Sequence, residues 1–320
     1  MRETHRYLCR VFVSASFCLA ACAAEDPGKQ RPLRRHDTAT APQARGAVAQ
    51  ELERTALIKR DIVYGSEVPQ SQNLDLYVPR KASEPLPLVV WIHGGGFVRG
   101  SKRPTVAMPL LDRRFAVASI EYRFLDVAPF PAQIHDCKAA IRWLRAHARE
   151  HNIDPERIGV WGSSAGAHLA ALLGTTNGNQ ELEGTVGTCT TVSSSVQAVC
   201  DWYGSSDMLT MPRVRQPFGD EETKAELLLG GPLPERRELA KLVSPFHHAE
   251  QKTVPFLIMH GDADRTVPLE QSTRLHERLK AAGTDSTLMI LKGQGHGFKR
   301  PVRPVEEFFE RTLREDRRER

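Results

Sequence analysis

Two hydrophobic rhythms take turns along the chain from Asp61 onward. Asp61-Ile62-Val63-Tyr64 and Leu74-Asp75-Leu76-Tyr77-Val78 alternate as half-buried strands do, bounded by Gly65 and Pro79. Leu86 to Ile92 and Phe115 to Ile120 are near-continuous apolar runs, as in strands covered on both faces. Ala132 to His151 changes to helical spacing, with Ile134, Cys137, Ala140, Ile141 and Leu144 on one stripe. Beyond it lie a strand at Arg157–Trp161, a small-residue helix at Ala165–Leu173 and strands at Val196–Trp202 and Val254–Met259. A helix at Pro268–Ala282, a strand at Thr287–Leu291 and a helix at Val302–Arg314 complete the series. This alternation predicts an α/β fold, a mainly parallel sheet with helices on both faces. Between Tyr203 and Thr253 the rhythm breaks into Pro, Gly and charged residues, and residues 204–252 are expected to form a small cap insertion.

The ends follow other rules. Arg2, Arg6 and Arg10 precede a short apolar run from Val11 to Ala21, the pattern of an export signal. That run is too short to span a bilayer as a mature helix. It closes with Leu19-Ala20-Ala21-Cys22, which looks like the lipobox of bacterial lipoprotein signals. On that reading residues 1–22 are the signal and Cys22 carries the lipid, giving a cell-envelope lipoprotein. Ordinary cleavage at the small residues around Ala21 gives a secreted protein instead. Residues 23–50, rich in Pro, Ala, Arg, Gln and Thr without apolar periodicity, read as a flexible tether to a folded α/β domain over 51–320.

The formal net charge is +5, part of it in the signal segment. Basic and acidic residues are interspersed, so no nucleic-acid-binding stripe is expected. Of six cysteines, Cys137, Cys189 and Cys200 remain beyond the signal region. Cys189 and Cys200 are close enough in sequence to pair in an oxidising compartment, while Cys137 sits on a helical stripe as a buried thiol. None stands at metal-ligand spacing with histidines.

Three motifs carry chemistry. Gly162-Ser163-Ser164-Ala165-Gly166 fits G-x-S-x-G and lies between a strand and a helix, the setting of a nucleophile elbow. Ser164 is the expected nucleophile; Ser163, at the variable position, is expected to be buried. His93-Gly94-Gly95-Gly96-Phe97 ends another buried strand. Consecutive glycines are costly in conformational entropy but let backbone N–H groups approach a ligand. Gly95 and Gly96, with Ala165, are the expected oxyanion-hole donors. His93 is expected to fix that loop by hydrogen bonds. The base should come late and from a loop, and Gly293-Gln294-Gly295-His296-Gly297-Phe298 supplies His296. Two carboxylates compete for the acid in His260-Gly261-Asp262-Ala263-Asp264. Asp264 is favoured as standing further out, and Asp262 is expected to bind N–H groups of its own turn. The remaining histidines, His260 among them, read as structural. The order Ser, Asp, His is that of α/β-hydrolases.

Leu74-Asp75-Leu76-Tyr77-Val78-Pro79, the His93 glycine loop, Glu121-Tyr122-Arg123, Phe130-Pro131-Ala132-Gln133, Asp154-Pro155-Glu156-Arg157-Ile158 and the catalytic segments together resemble one family. It is that of the BD-FAE-like carbohydrate esterases, in the hormone-sensitive-lipase branch of α/β-hydrolases, matched over roughly residues 60 to 310. The resemblance implies hydrolysis of acetyl or feruloyl esters on plant polysaccharide, with Ser164, Asp264 and His296 as the triad and no metal or organic cofactor. Two departures stand out. Gly166-Ala167 replaces a Gly-Gly pair, a change expected to narrow the elbow, and Asp201-Trp202-Tyr203-Gly204-Ser205-Ser206-Asp207 lacks the family's proline. A broad short-chain carboxylesterase is the rival reading. A prolyl-oligopeptidase-type peptidase would need room for a propeller, and a non-catalytic scaffold would be expected to have lost one of these motifs.

Overall fold

A computed structural model describes residues 52–212, 224–298 and 301–314 of the chain. Its strands are β1 (Ala56–Val63), β2 (Asn73–Pro79), β3 (Leu86–Ile92), β4 (Ala116–Ile120), β5 (Ile153–Ser163), β6 (Ala198–Trp202), β7 (Phe256–Gly261) and β8 (Ser286–Leu291). The α-helices are α1 (Ala132–Ala146), α2 (Ala165–Thr175), α3 (Lys224–Leu229), α4 (Arg237–Leu242), α5 (Pro245–His248), α6 (Leu269–Ala281) and α7 (Arg303–Leu313). One sheet holds all eight strands in the order β1-β2-β4-β3-β5-β6-β7-β8. β1 and β2 run antiparallel to their neighbours; from β4 to β8 every pairing is parallel.

The apolar run of β3 explains the layering. All its residues are buried, and successive side chains point to opposite faces. Leu88, Val90 and Ile92 join the core shared with α1, α2 and α6. Val89 and Trp91 join the other, with Phe308 and Phe309 of α7. Trp91 lies opposite Trp161 of β5, and Trp161 packs edge-on against Trp202 of β6. A strand with one solvated face has no use for such residues. At roughly 1.5–3 kcal/mol for each fully buried large apolar side chain, the two-sided burial is what holds β3 at the centre.

Several element limits differ from expectation, each for a local reason. β1 begins at Ala56 rather than Asp61, because a register shift between Lys59 and Ile62 interrupts its alternation. Asp61 there has a φ of 55°, as a bulge permits. α1 stops at Ala146; a 3₁₀ turn follows at Arg149–His151 and closes on Asn152, whose left-handed φ of 53° suits Asn. Cys189 and Cys200 are both free, so the pairing that their spacing leaves open does not form. Cys200 lies inside β6 with no exposed surface, whereas Cys189 is half-buried on a loop. Cys137 is buried on α1, and burial pushes its thiol pKa well up.

Of the expected cap, residues 213–223 lie outside those described. The remainder contains α3 to α5. The carbonyl of Leu228 on α3 accepts a hydrogen bond from the Phe130 N–H at 2.9 Å, ahead of α1. α5 packs against α2 and α6 on the face of the sheet. The signal and tether segments, Cys22 included, also lie outside the described residues. No helix among the described residues is long and apolar enough to cross a membrane.

Candidate active site

In parallel sheets ligands bind beyond the carboxyl ends of the strands. Here five neighbouring strands, β3, β5, β6, β7 and β8, end in His93, Ser164, Tyr203, the Asp262–Asp264 turn and the His296 loop, in that spatial order.

Ser164 joins β5 to α2 with φ 54° and ψ −120°, a conformation costly for any residue other than glycine. Its N–H donates to the Trp202 carbonyl at 2.9 Å, and its carbonyl accepts from the His168 N–H at 3.0 Å. The flanking glycines are what let the turn close. A Cβ on Gly162 would lie 2.2 Å from the Gly166 carbonyl oxygen, and one on Gly166 only 2.1 Å from that of Ile92. Ser163, expected to be buried, is half-exposed instead.

Ser164 Oγ lies 2.9 Å from His296 Nε2, and His296 Nδ1 lies 2.7 Å from Asp264 Oδ2. The three side chains, distant in sequence, thus form one hydrogen-bonded chain. Nδ1 must donate, because a carboxylate accepts only, and that leaves Nε2 able to accept from the serine hydroxyl. The Asp264 side chain has no exposed surface, while that of His296 is 24 % exposed.

Burial by itself would raise the Asp264 pKa. Hydrogen bonds from His260, from His296 and from the N–H groups of Val267 and Thr266 outweigh it and hold the carboxyl well below its usual range. Asp264 Oδ1 therefore caps its own turn while Oδ2 faces the ring. Asp262 behaves otherwise than expected. Its Oδ1 reaches across to the loop after β8 and accepts from the Gly293 N–H at 2.6 Å. Turn capping thus belongs to Asp264, and Asp262 joins the two loops.

On the other side of Ser164, Gly95 and Gly96 have φ of 126° and 65°. A Cβ on Gly95 would fall 1.7 Å from the Arg99 carbonyl oxygen. The Gly94 backbone packs against Ser164: a Cβ there would meet the serine Cβ at 3.2 Å. The N–H groups of Gly95, Gly96 and Ala165 have no hydrogen-bond partner among the described residues. His93 holds the start of this loop, with Nδ1 2.8 Å from the Gly94 carbonyl oxygen and its ring stacked on Tyr122.

Sequence reasoning assigned no role at this site to two residues the fold brings there. His260 is fully buried, and its Nε2 lies 3.3 Å from Asp264 Oδ2 and 3.0 Å from the Val267 carbonyl. The Tyr203 ring stands edge-on to His296, centroids 4.6 Å apart, on a backbone with φ 49°. Position at the carboxyl end of a sheet strand was the available signal for both, His260 as the next-to-last residue of β7 and Tyr203 just after β6. Among the described residues, no group of three His, Cys, Asp or Glu side chains gathers as a metal ion would require.

Fold, elbow and spatial order define an α/β-hydrolase. The BD-FAE family model matches residues 74–279. The chain belongs to the BD-FAE family. It resembles the structure of a truncated form of a carbohydrate esterase from gut microbiota, at 33 % identity and TM-score 0.76, covering 82 % of this chain and 98 % of that one. The butyrate-bound esterase Est2 of Thermogutta terrifontis is 28 % identical with a TM-score of 0.61, over 81 % of this chain and 91 % of its own. Esterase LipC of Mycobacterium tuberculosis is 30 % identical over 248 residues, 75 % of this chain and 60 % of LipC. Against curated relatives such as LipC the chain thus spans about three fifths of their length or less.

Proposed function

We propose that the protein is a serine carboxylic-ester hydrolase working through an acyl-enzyme. The carrying observation is the bond chain from Ser164 Oγ through His296 to Asp264, beside backbone N–H groups without partners among the described residues. Ser164 Oγ bonds to the ester carbonyl carbon while its proton passes to His296 Nε2. Asp264 keeps the ring in the required tautomer and stabilises its charged form. Negative charge gathering on the carbonyl oxygen is met by the N–H of Ala165 and of Gly95 or Gly96; one such donor is worth roughly 10²–10³ in rate. The alcohol departs with the proton from His296. Water then repeats the sequence on the acyl-enzyme and frees the acid.

For the substrate we favour short acyl or feruloyl esters of plant polysaccharide. The family match and a carbohydrate esterase as structural neighbour support this. The likeness to Est2, whose structure has butyrate bound, supports a short-chain carboxylesterase as the second reading. Acetylated xylan, methyl ferulate and aryl esters of graded chain length separate the two. Acetate released from xylan is expected; cleavage of four-carbon aryl esters with none on xylan would favour the second. Ser164→Ala should remain folded and lose at least about 10³ of its rate on an aryl acetate. Retained activity there would remove the nucleophile.

Export with a lipid on Cys22, and a tether over 23–50, are part of the same proposal and rest on the sequence pattern. Two or three acyl chains would give stable anchoring. Metabolic labelling with a fatty acid should mark the protein, and Cys22→Ala should abolish the label.

A further inference from the structure

We propose that Glu121 is a positioning residue for the oxyanion-hole loop, acting through His93. The proposal rests on the reading of Ser164 as the nucleophile. Glu121 follows β4 directly and His93 follows β3; Ile120 and Ile92 are register partners, so the two residues leave the sheet side by side. The Glu121 backbone is held at both ends. Its N–H donates to the Asn73 carbonyl at 2.9 Å, and its carbonyl accepts from the Tyr64 hydroxyl at 2.6 Å.

The carboxylate gathers the two legs of the glycine loop. Oε2 lies 3.1 Å from His93 Nε2 on the leg that enters. Oε1 accepts from Ser101 Oγ at 2.9 Å and from the Lys102 N–H at 3.0 Å on the leg that leaves. Between these anchors lie Gly94, Gly95 and Gly96, whose own backbone torsions no side chain restricts.

The consequence for the hole follows from peptide geometry. The Gly94 carbonyl and the Gly95 N–H belong to one planar unit and point in opposite directions. His93 Nδ1 faces that carbonyl at 2.8 Å and Nε2 faces the Glu121 carboxylate; both partners accept only, so both ring nitrogens donate. Holding the oxygen on the His93 side aims the Gly95 N–H the other way. The Tyr122 hydroxyl on the His93 carbonyl at 3.0 Å and Tyr122 stacked on the ring restrain the residue further. Without the Glu121 bond the imidazole can turn, the peptide can rotate, and a donor aimed at the developing charge is lost. The ground-state ester needs that donor far less than the transition state does.

The test compares Glu121→Ala, Glu121→Gln and Ser164→Ala on one aryl acetate, with thermal melts alongside. Glu121→Ala is expected to lower kcat by about 10- to 100-fold with KM within about threefold, below the cost of deleting a donor outright. Glu121→Gln can accept from Ser101 and Lys102 through its amide oxygen and donate from its NH2 to a ring that keeps its proton on Nδ1 alone, so its kcat should return to within about fivefold of the parent. A Glu121→Ala enzyme with unchanged kcat, or one raised only in KM, overturns the proposal. So does a folded Glu121→Gln that falls as far as Ala. Should Glu121→Ala not fold, Ser101→Ala takes its place, with kcat expected down at least about threefold and unchanged kcat decisive against. Activity surviving in Ser164→Ala overturns the nucleophile and this proposal with it; activity lost there but intact in Glu121→Ala overturns the Glu121 role alone.

Discussion

The two halves of the site are built on different principles. On the elbow side, β3, β5 and α2 press backbone against backbone, and Gly162 and Gly166 have no space for a methyl group. On the base side, Gly293 and Gly297 have no atom of the described residues beyond their chain neighbours within 4 Å of where a Cβ would stand, although their φ values are 69° and 78°. There one close approach remains, Gly261 against the Gln294 carbonyl, whose oxygen also accepts from the Ala263 N–H. The catalytic groups themselves are held by side-chain bonds: His296 to Asp264, Asp264 to its turn, and Asp262 to Gly293. A nucleophile under backbone strain needs a rigid mount. The imidazole, which alternately takes and returns a proton, is held by bonds that leave it a quarter exposed.

The sharpest way to break this contrast is to exchange roles between the two carboxylates of the base side. Asp264→Asn removes the acceptor that fixes the ring tautomer, and kcat/KM should fall about 10³–10⁴-fold. Asp262→Asn can still accept from the Gly293 N–H, so the loss should stay within about tenfold. Both are read on one aryl acetate. If Asp262→Asn were the more damaging, the assignment of the acid would be reversed.

How far such roles were legible in advance depended on range. β3 and α2 were readable because a hydrophobic period is local. The Ser164 elbow was readable because its glycines sit within two residues of the serine. Asp262 was misjudged because its partner, Gly293, lies on a different loop, and no local turn rule reports a bond of that span. His260 on Asp264 and Tyr203 against His296 escaped for the same reason. The bulge at Asp61 hid the first half of β1, since one extra residue moves every later side chain to the opposite face. Proximity in sequence likewise suggested the Cys189–Cys200 pair, and burial of Cys200 within the sheet overrides it.

A methyl group compares the two halves directly. Gly166→Ala drives a Cβ into the carbonyls of Ile92 and His93, at 2.1 and 2.4 Å. Backbone must move, at a cost of about 1–3 kcal/mol or more. Because Ser164 is on the moving turn, kcat should drop by about 10²-fold as well. Gly297→Ala meets no atom of the described residues beyond its chain neighbours and is expected to cost only its left-handed backbone, about 1 kcal/mol. Urea unfolding and kcat measured on both variants decide it. Equal losses in the two would show that the halves are equally rigid.

Acid offers a milder probe of the elbow side. His168, one turn along α2 from Ser164, is fully buried; its Nδ1 lies 2.8 Å from the Ser205 carbonyl and Nε2 has no hydrogen-bond partner among the described residues. Burial lowers its pKa to about 4, with the Ser205 bond opposing. The unfolded chain therefore binds a proton that the native state refuses between about pH 6.5 and 4, so stability falls as pH falls through that window. From pH 7 to pH 5 the loss is about 2 kcal/mol. Asp201, raised to about 6 by burial, binds its proton more readily in the native state and acts in the opposite direction. It is common to the parent and to His168→Asn, so comparing the two isolates the histidine. Urea midpoints at both pH values should show the parent losing about 2 kcal/mol more than the variant. The same loss in both would mean that the His168 ring takes up its proton without penalty, and that the elbow side yields more readily than its packing implies.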